Sequence, residues 1–177
     1  MKSAEKYFDE SARFYDAAVS SFKWQVHVRL ANLLSSFSVG RPLRVVLDFG
    51  VGTGLLAEEV LKVHPHAKVV GVDVSNGMLD VLRKKGLGVD CFQYEGGGLP
   101  VPHGLYDAVV SSGVFEFVKN PEGEIQKIAA VMRPRGFLCV AWLCKIQGGG
   151  WRGWLKNMKE RIFRVAFYPH PGSAMHR

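Results

Sequence analysis

The stretch Asp48-Phe49-Gly50-Val51-Gly52-Thr53-Gly54 leaves this chain few folds to choose from. It follows an apolar run, Leu43 to Leu47, broken only by Arg44, and opens into the helix-like Leu55-Leu56-Ala57-Glu58-Glu59-Val60-Leu61. A buried strand that turns through glycines into a helix N-terminus is the ligand-binding corner of a doubly wound sheet. A dinucleotide fingerprint reads Gly-x-Gly-x-x-Gly, with a pyrophosphate resting on the helix N-terminus. Here the third glycine, Gly54, comes one residue early, and Leu55 stands where the fingerprint wants glycine. Asp48, two residues before the first glycine, would repel a pyrophosphate but could hold a ligand ammonium, directly or through water.

The rest of the chain alternates strand and helix. Residues 3–36 read as helical, ended by Gly40-Arg41-Pro42. Strands are expected at 43–49, 68–73, near 88–93, at 106–111 and at 137–142, with helices at 54–63, 76–85 and 122–132. Ser75-Asn76-Gly77 caps the second of these helices, and its basic end, Arg83-Lys84-Lys85, suits the helix dipole. This order predicts an α/β fold: a doubly wound, Rossmann-like, mostly parallel sheet in three α/β/α layers. Loops after the strands should carry the site. Asp73 closes the second strand, where an acidic residue accepts hydrogen bonds from ribose hydroxyls. The competing reading is a helix N-cap.

Asp-x-Gly-x-Gly-x-Gly resembles motif I of the class I S-adenosylmethionine-dependent methyltransferases. Gly71-Val72-Asp73-Val74-Ser75-Asn76-Gly77-Met78-Leu79 looks like the segment that follows it, and Leu99-Pro100-Val101-Pro102 with Tyr106-Asp107-Ala108-Val109-Val110-Ser111-Ser112 is similar to the later Leu-Pro-Phe-Pro…Phe-Asp-x-Val-x-x-Ser pattern. The resemblance covers about residues 42–142. It implies that S-adenosylmethionine binds through Asp48, Gly50, Gly52, Thr53 and Gly54, with Asp73 on the ribose and Val74 and Met78 on the adenine. Glu95, beside Gly96, takes the place of an aspartate that accepts from the adenine amino group. The backbone carbonyl near Ser111 would meet the cofactor's ammonium. Bottom-up, Met78 is equally ordinary core, and Asp107 orders a loop-to-strand transition. Tyr7-Phe8-Asp9 and Phe14-Tyr15-Asp16 look like the aromatic lid helix of small-molecule methyltransferases, so Tyr7 or Tyr15 could bond the methionine carboxylate; aromatic core packing is the alternative.

Methyl transfer from a sulfonium needs in-line positioning and exclusion of water more than a base. No catalytic residue is nominated. Relatives often carry Glu-His after the fourth strand, where this chain has Glu116-Phe117, and His64, His66 and His103 fall in surface loops. The Asn/Asp-Pro-Pro-Tyr/Phe acceptor motif of nucleic-acid enzymes is absent, as is a Pro-Cys nucleophile, so a small-molecule acceptor is expected and nucleic acid is not. A non-catalytic cofactor-binding scaffold and an NAD-dependent oxidoreductase are the other readings.

Two departures stand out. Arg135 occupies the first glycine place of the Pro-Gly-Gly turn into strand five, at a cost of roughly 1 kcal/mol if that turn needs positive φ. The family's sheet ends in an antiparallel hairpin, but at most one further strand fits before Arg177, so the terminal hairpin is expected to be incomplete and its open edge to invite oligomerisation. The domain reading is an N-terminal helical lid at 1–40, a cofactor-binding core at 41–145, and a basic helix with a possible last strand at 146–177. Residues 1–132 carry 14 basic and 15 acidic side chains, residues 133–177 nine and one. The tail helix, apolar at Trp151, Trp154, Leu155, Met158 and Ile162, reads as a sheet-covering helix or as a contact for a membrane surface. Three cysteines with no Cys-x-x-Cys pair argue against a zinc site or disulfide framework and suit a cytoplasmic protein.

Overall fold

The computed structural model describes residues 4–143 and 163–169. Eleven elements follow in order among them: α1 (Ala4–Ser21), α2 (Val26–Phe37), β1 (Val45–Phe49), α3 (Leu55–Val63), β2 (Lys68–Asp73), α4 (Asn76–Lys85), β3 (Asp90–Gln93), β4 (Tyr106–Ser112), α5 (Pro121–Val131), β5 (Met132–Leu143) and β6 (Phe163–Pro169). The sheet order is β3-β2-β1-β4-β5-β6, with β1 to β5 parallel and β6 antiparallel on β5. This is the doubly wound α/β fold that the alternation predicts.

The strands are continuous apolar runs because both faces of the sheet are covered. Successive side chains point to opposite faces. Val46, Val69, Ala108, Val110 and Cys139 pack with α2, α3 and α4, while Leu47, Val70, Val72, Val109 and Leu138 pack with α5 and the loop around Leu99 and Val101. Strand order reverses between β1 and β4, so the C-terminal ends of these two strands frame the crevice where such sheets bind ligands. No helix among the described residues is long and apolar enough to cross a membrane. Cys139 is a buried free thiol and Cys91 a half-buried one.

The N-terminal helical region is two helices rather than one. The break falls at Phe22–Gln25, where Lys23 takes φ +51 and turns the chain so that α2 can pack on α3. The strand β6 fills the place of the single extra strand, paired from Phe163 opposite Leu143 to Pro169 opposite Phe137. The basic tail helix and Cys144 lie outside the described residues.

The Arg133–Gly136 segment leaves the ladder between β4 and β5: Tyr106 faces Met132, but Ala108 faces Phe137. Asp107 secures this corner. Its carboxylate accepts from the backbone N–H of Arg44 at 2.7 Å and Val45 at 2.9 Å, and from Arg133 Nη1 at 2.6 Å. Arg41 lies over the Phe137 ring and donates to the Arg135 carbonyl at 2.9 Å. Arg135 itself holds φ +66, the left-handed conformation expected of the glycine it replaces. Arg135→Gly should therefore stabilise the fold by about 0.5–1 kcal/mol, read as a higher urea midpoint at unchanged slope.

Candidate cofactor site

Residues 50–54 fold back against β2, with the N–H groups of Gly50 and Val51 both donating to the Val72 carbonyl, at 2.8 and 3.0 Å. Two glycines matter for different reasons. At Gly50, φ is +78 and a Cβ would lie 2.0 Å from Val114 Cγ2, so the loop after β4 closes directly on it. At Gly52, φ is +53 and a Cβ would meet no protein atom within 4 Å. Bare backbone facing open space is the arrangement by which a main chain approaches a ligand closely.

Asp48 sits under this loop at the end of β1, 1% exposed, and neither carboxylate oxygen has a hydrogen-bond partner among the described residues. Burial pushes its pKa up from 3.8 to about 8; the charge of Asp73 adds to the rise, and the Ala57 backbone N–H, short of hydrogen-bond geometry, opposes it. A buried carboxylate without protein donors is costly unless a cation meets it. Asp48 is therefore a candidate to pair with a ligand ammonium. Ser111 Oγ is likewise buried and without a hydrogen-bond partner among the described residues, but it is Ser112 that lines the crevice beside Asp48.

Asp73 accepts from Gly52 N–H at 2.8 Å through one oxygen and from Ser75 N–H at 2.9 Å through the other. Burial raises its pKa and these bonds pull it back. It is not the helix cap: Ser75 is the N-cap of α4, its hydroxyl accepting from Met78 N–H at 3.1 Å. Asp73 instead ties the glycine loop to the end of β2, and each oxygen keeps a further lone pair for a ligand. Val74 is half-buried at the rim and Met78 is buried. Glu95 and Gly96 stand on an exposed turn, while Gln93 is nearer, donating to the Val74 carbonyl and accepting from Asn76.

Helix α1 lies across the crevice. Its two aspartates, seven residues apart and hence on one face, dock it. Asp9 accepts from Ser75 Oγ at 2.6 Å and Gly77 N–H at 2.8 Å; Asp16 accepts from Thr53 Oγ1 and pairs with Lys85, both at 2.5 Å. Thr53 is thus bonded to α1. Tyr15 lines the crevice with Asp48; burial first, then the charges of Asp73, Glu116 and Asp16, push its phenol up to about 12. Tyr7 lies instead at the surface, 36% exposed.

Sequence reasoning passed over Asp9, Asp16, Trp24 and His27. The first two were signalled by their repetition after paired aromatics. Trp24 and His27 line the crevice only because α2 folds back beside α3, and nothing local marks them. His27 is held below its ordinary pKa by burial, against Glu59 and Glu58. Of the histidines the sequence placed in loops, His66 and His103 are exposed, and His64 ends α3 beside Ser38, away from the crevice. Among the described residues no group of His, Cys, Asp or Glu could hold a metal.

The sign of the Asp48 effect on stability follows from linkage. Between about pH 4 and 8 the unfolded chain releases this proton while the fold retains it, so stability falls as pH rises through that window. Asp48→Asn should reduce the drop in melting temperature measured between about pH 5 and pH 8.5, leaving the contribution of Asp73, whose pKa is shifted in the same direction.

Residues 47–140 match the family described as "Methyltransferase domain". The chain is 30% identical over 146 residues to a malonyl-[acyl-carrier protein] O-methyltransferase of Halalkalibacterium halodurans, covering 77% of this chain and 53% of that protein. It is 31% identical over 144 residues to a demethylmenaquinone methyltransferase of Symbiobacterium thermophilum, covering 75% and 56%. The chain thus spans about half the length of these relatives. Among solved structures, the [4+2]-cyclase SpnF aligns with a TM-score of 0.58 at 27% identity, over 69% of this chain and 47% of that one. A match over more than half the chain, on the glycine loop and the strands that frame it, makes this protein a member of the class I S-adenosylmethionine-dependent methyltransferase family.

Proposed function

We propose that this chain binds S-adenosylmethionine in the crevice between β1 and β4 and transfers its methyl group to a small-molecule acceptor by in-line displacement. The observation that carries the reading is Asp48, a buried carboxylate without a hydrogen-bond partner among the described residues, under a glycine with no Cβ to block approach. Asp48 would hold the ligand ammonium, joined by a backbone carbonyl at the end of β4, near Ser111. The spare lone pairs of Asp73 suit ribose hydroxyls. Val74 and Met78 offer an apolar seat for adenine, with Glu95 and Gly96 at its rim. When bound, the cofactor supplies an already activated methyl group.

The chain's own contribution is then to position and to exclude water. Residues of α1, Tyr15 and Val19, line one side of the crevice. The Tyr15 phenol, with its pKa near 12, stays protonated at neutral pH and acts as a hydrogen-bond donor rather than a base. The free thiols Cys91 and Cys139 accord with the cytoplasmic setting expected from the sequence.

A second reading is a cofactor-binding protein of this fold that does not methylate. A similar structure is named as a cyclase, and the same fold supports unrelated reactions. Methyl transfer from labelled S-adenosylmethionine to a panel of hydroxyl, carboxyl and amine acceptors separates the two, with binding followed in parallel; binding without transfer across the panel favours the second.

Calorimetric titration with S-adenosylhomocysteine tests the site. Gly52→Ala and Asp48→Asn should each weaken binding roughly 10–100-fold, as expected for a lost charged hydrogen bond or a blocked approach. Unchanged affinity in both, or tight binding of NAD by the wild type, would overturn the assignment.

A further inference from the structure

A second cavity opens at the other ends of the strands, where β1 begins and β5 enters the sheet. It holds about 70 Å³, against the roughly 10–15 Å³ that one water needs. Three guanidinium side chains line it, those of Arg41, Arg133 and Arg135, together with one carboxylate, that of Asp107. It shares no lining residue with the cofactor crevice, which lies past the C-terminal ends of β1 and β4.

The charges around this cavity do not cancel. Asp107 and Arg133 neutralise each other, Oδ1 accepting from Nη1 at 2.6 Å, while Oδ2 takes the backbone N–H groups of Arg44 and Val45. Arg41 and Arg135 meet no carboxylate among the described residues. Arg41 donates from Nη2 to the Arg135 carbonyl at 2.9 Å, which uses one of the five N–H donors of its guanidinium. Two uncompensated positive charges therefore stand on one cavity.

Both are placed in advance of any ligand. The Arg41 guanidinium lies 4.6 Å over the Phe137 ring and is anchored by the Arg135 carbonyl, so little freedom is left for binding to remove. Arg135 is exposed and holds φ +66, a conformation that glycine adopts more cheaply. An arginine kept at such a backbone position points from strain to a use for its side chain.

We propose that this cavity binds a phosphate group, with Arg41 and Arg135 as its ligands and Arg133 fixed beside them by Asp107. Planar guanidinium forks match phosphate oxygens two at a time. A phosphate monoester carries about 1.5 to 2 negative charges at neutral pH, which answers both free guanidiniums; a carboxylate would answer one. The site stands apart from the methyltransferase reading, since none of its residues lines the crevice.

Calorimetric titration of the whole chain with inorganic phosphate, phenyl phosphate and acetate, at one fixed ionic strength, tests this. One phosphate group should bind per chain, at least about 10-fold more tightly than acetate. Tighter inorganic phosphate marks the free ion as the ligand, and tighter phenyl phosphate marks a monoester; either order supports the site. Arg135→Gly should weaken phosphate roughly 10-fold while raising the urea midpoint, and Arg41→Gln should weaken it by a similar factor. Opposite effects of Arg135→Gly on binding and on stability separate a lost ligand from a damaged fold. Phosphate no tighter than acetate, or wild-type phosphate affinity in both arginine variants, overturns the proposal. So does an affinity lost in Gly52→Ala and kept in both arginine variants, which would place the anion on the glycine loop.

Discussion

Strand β1 is hydrogen-bonded on both sides by parallel neighbours and covered on both faces, so whatever stands at its C-terminal end is removed from water. The residue there is Asp48. A carboxylate in that position is pushed toward its neutral form by burial and by the charge of Asp73, and no protein donor meets its oxygens among the described residues. The sheet therefore leaves a buried carboxyl group in want of a hydrogen-bond partner, among the described residues, at the point where its strand order reverses.

The demand shapes the neighbourhood. Asp73 is in the same crevice but its problem is solved differently, by the N–H groups of Gly52 and Ser75. Those bonds draw the glycine loop toward the end of β2 and hold its backbone in the left-handed turns that only glycine adopts cheaply. The loop is then positioned for α1. Thr53 reaches Asp16, Ser75 and Gly77 reach Asp9, and α1 is fastened to the glycine loop and to the start of α4.

At the opposite end of the strands the same economy holds with different chemistry. Asp107 is satisfied three times over, by two backbone N–H groups and one guanidinium, and joins the start of β1 to the irregular entry of β5. Arg135 keeps a left-handed backbone there without being glycine. The bonds around it over-determine that conformation, which is how a strained residue persists.

Much of this was written locally. Glycine spacing, the aspartate before it, the acidic end of the second strand and the Ser75 cap are short-range patterns, and each depends on backbone geometry that neighbouring residues set. They determined the α/β alternation and the glycine turn that leads from β1 into α3. What tertiary structure decided is which groups end without partners and which are used up. Thr53, inside the motif, is taken by Asp16 from another helix; Asp73 is bonded by the loop rather than capping α4; Tyr15 faces the crevice and Tyr7 does not. Those outcomes depend on the fold of α1 and α2 back over residues far along the chain, and on burial that raises the energy of one carboxylate and not another. Hydrogen-bond satisfaction is a property of the packed whole, so no segment of sequence could carry it alone.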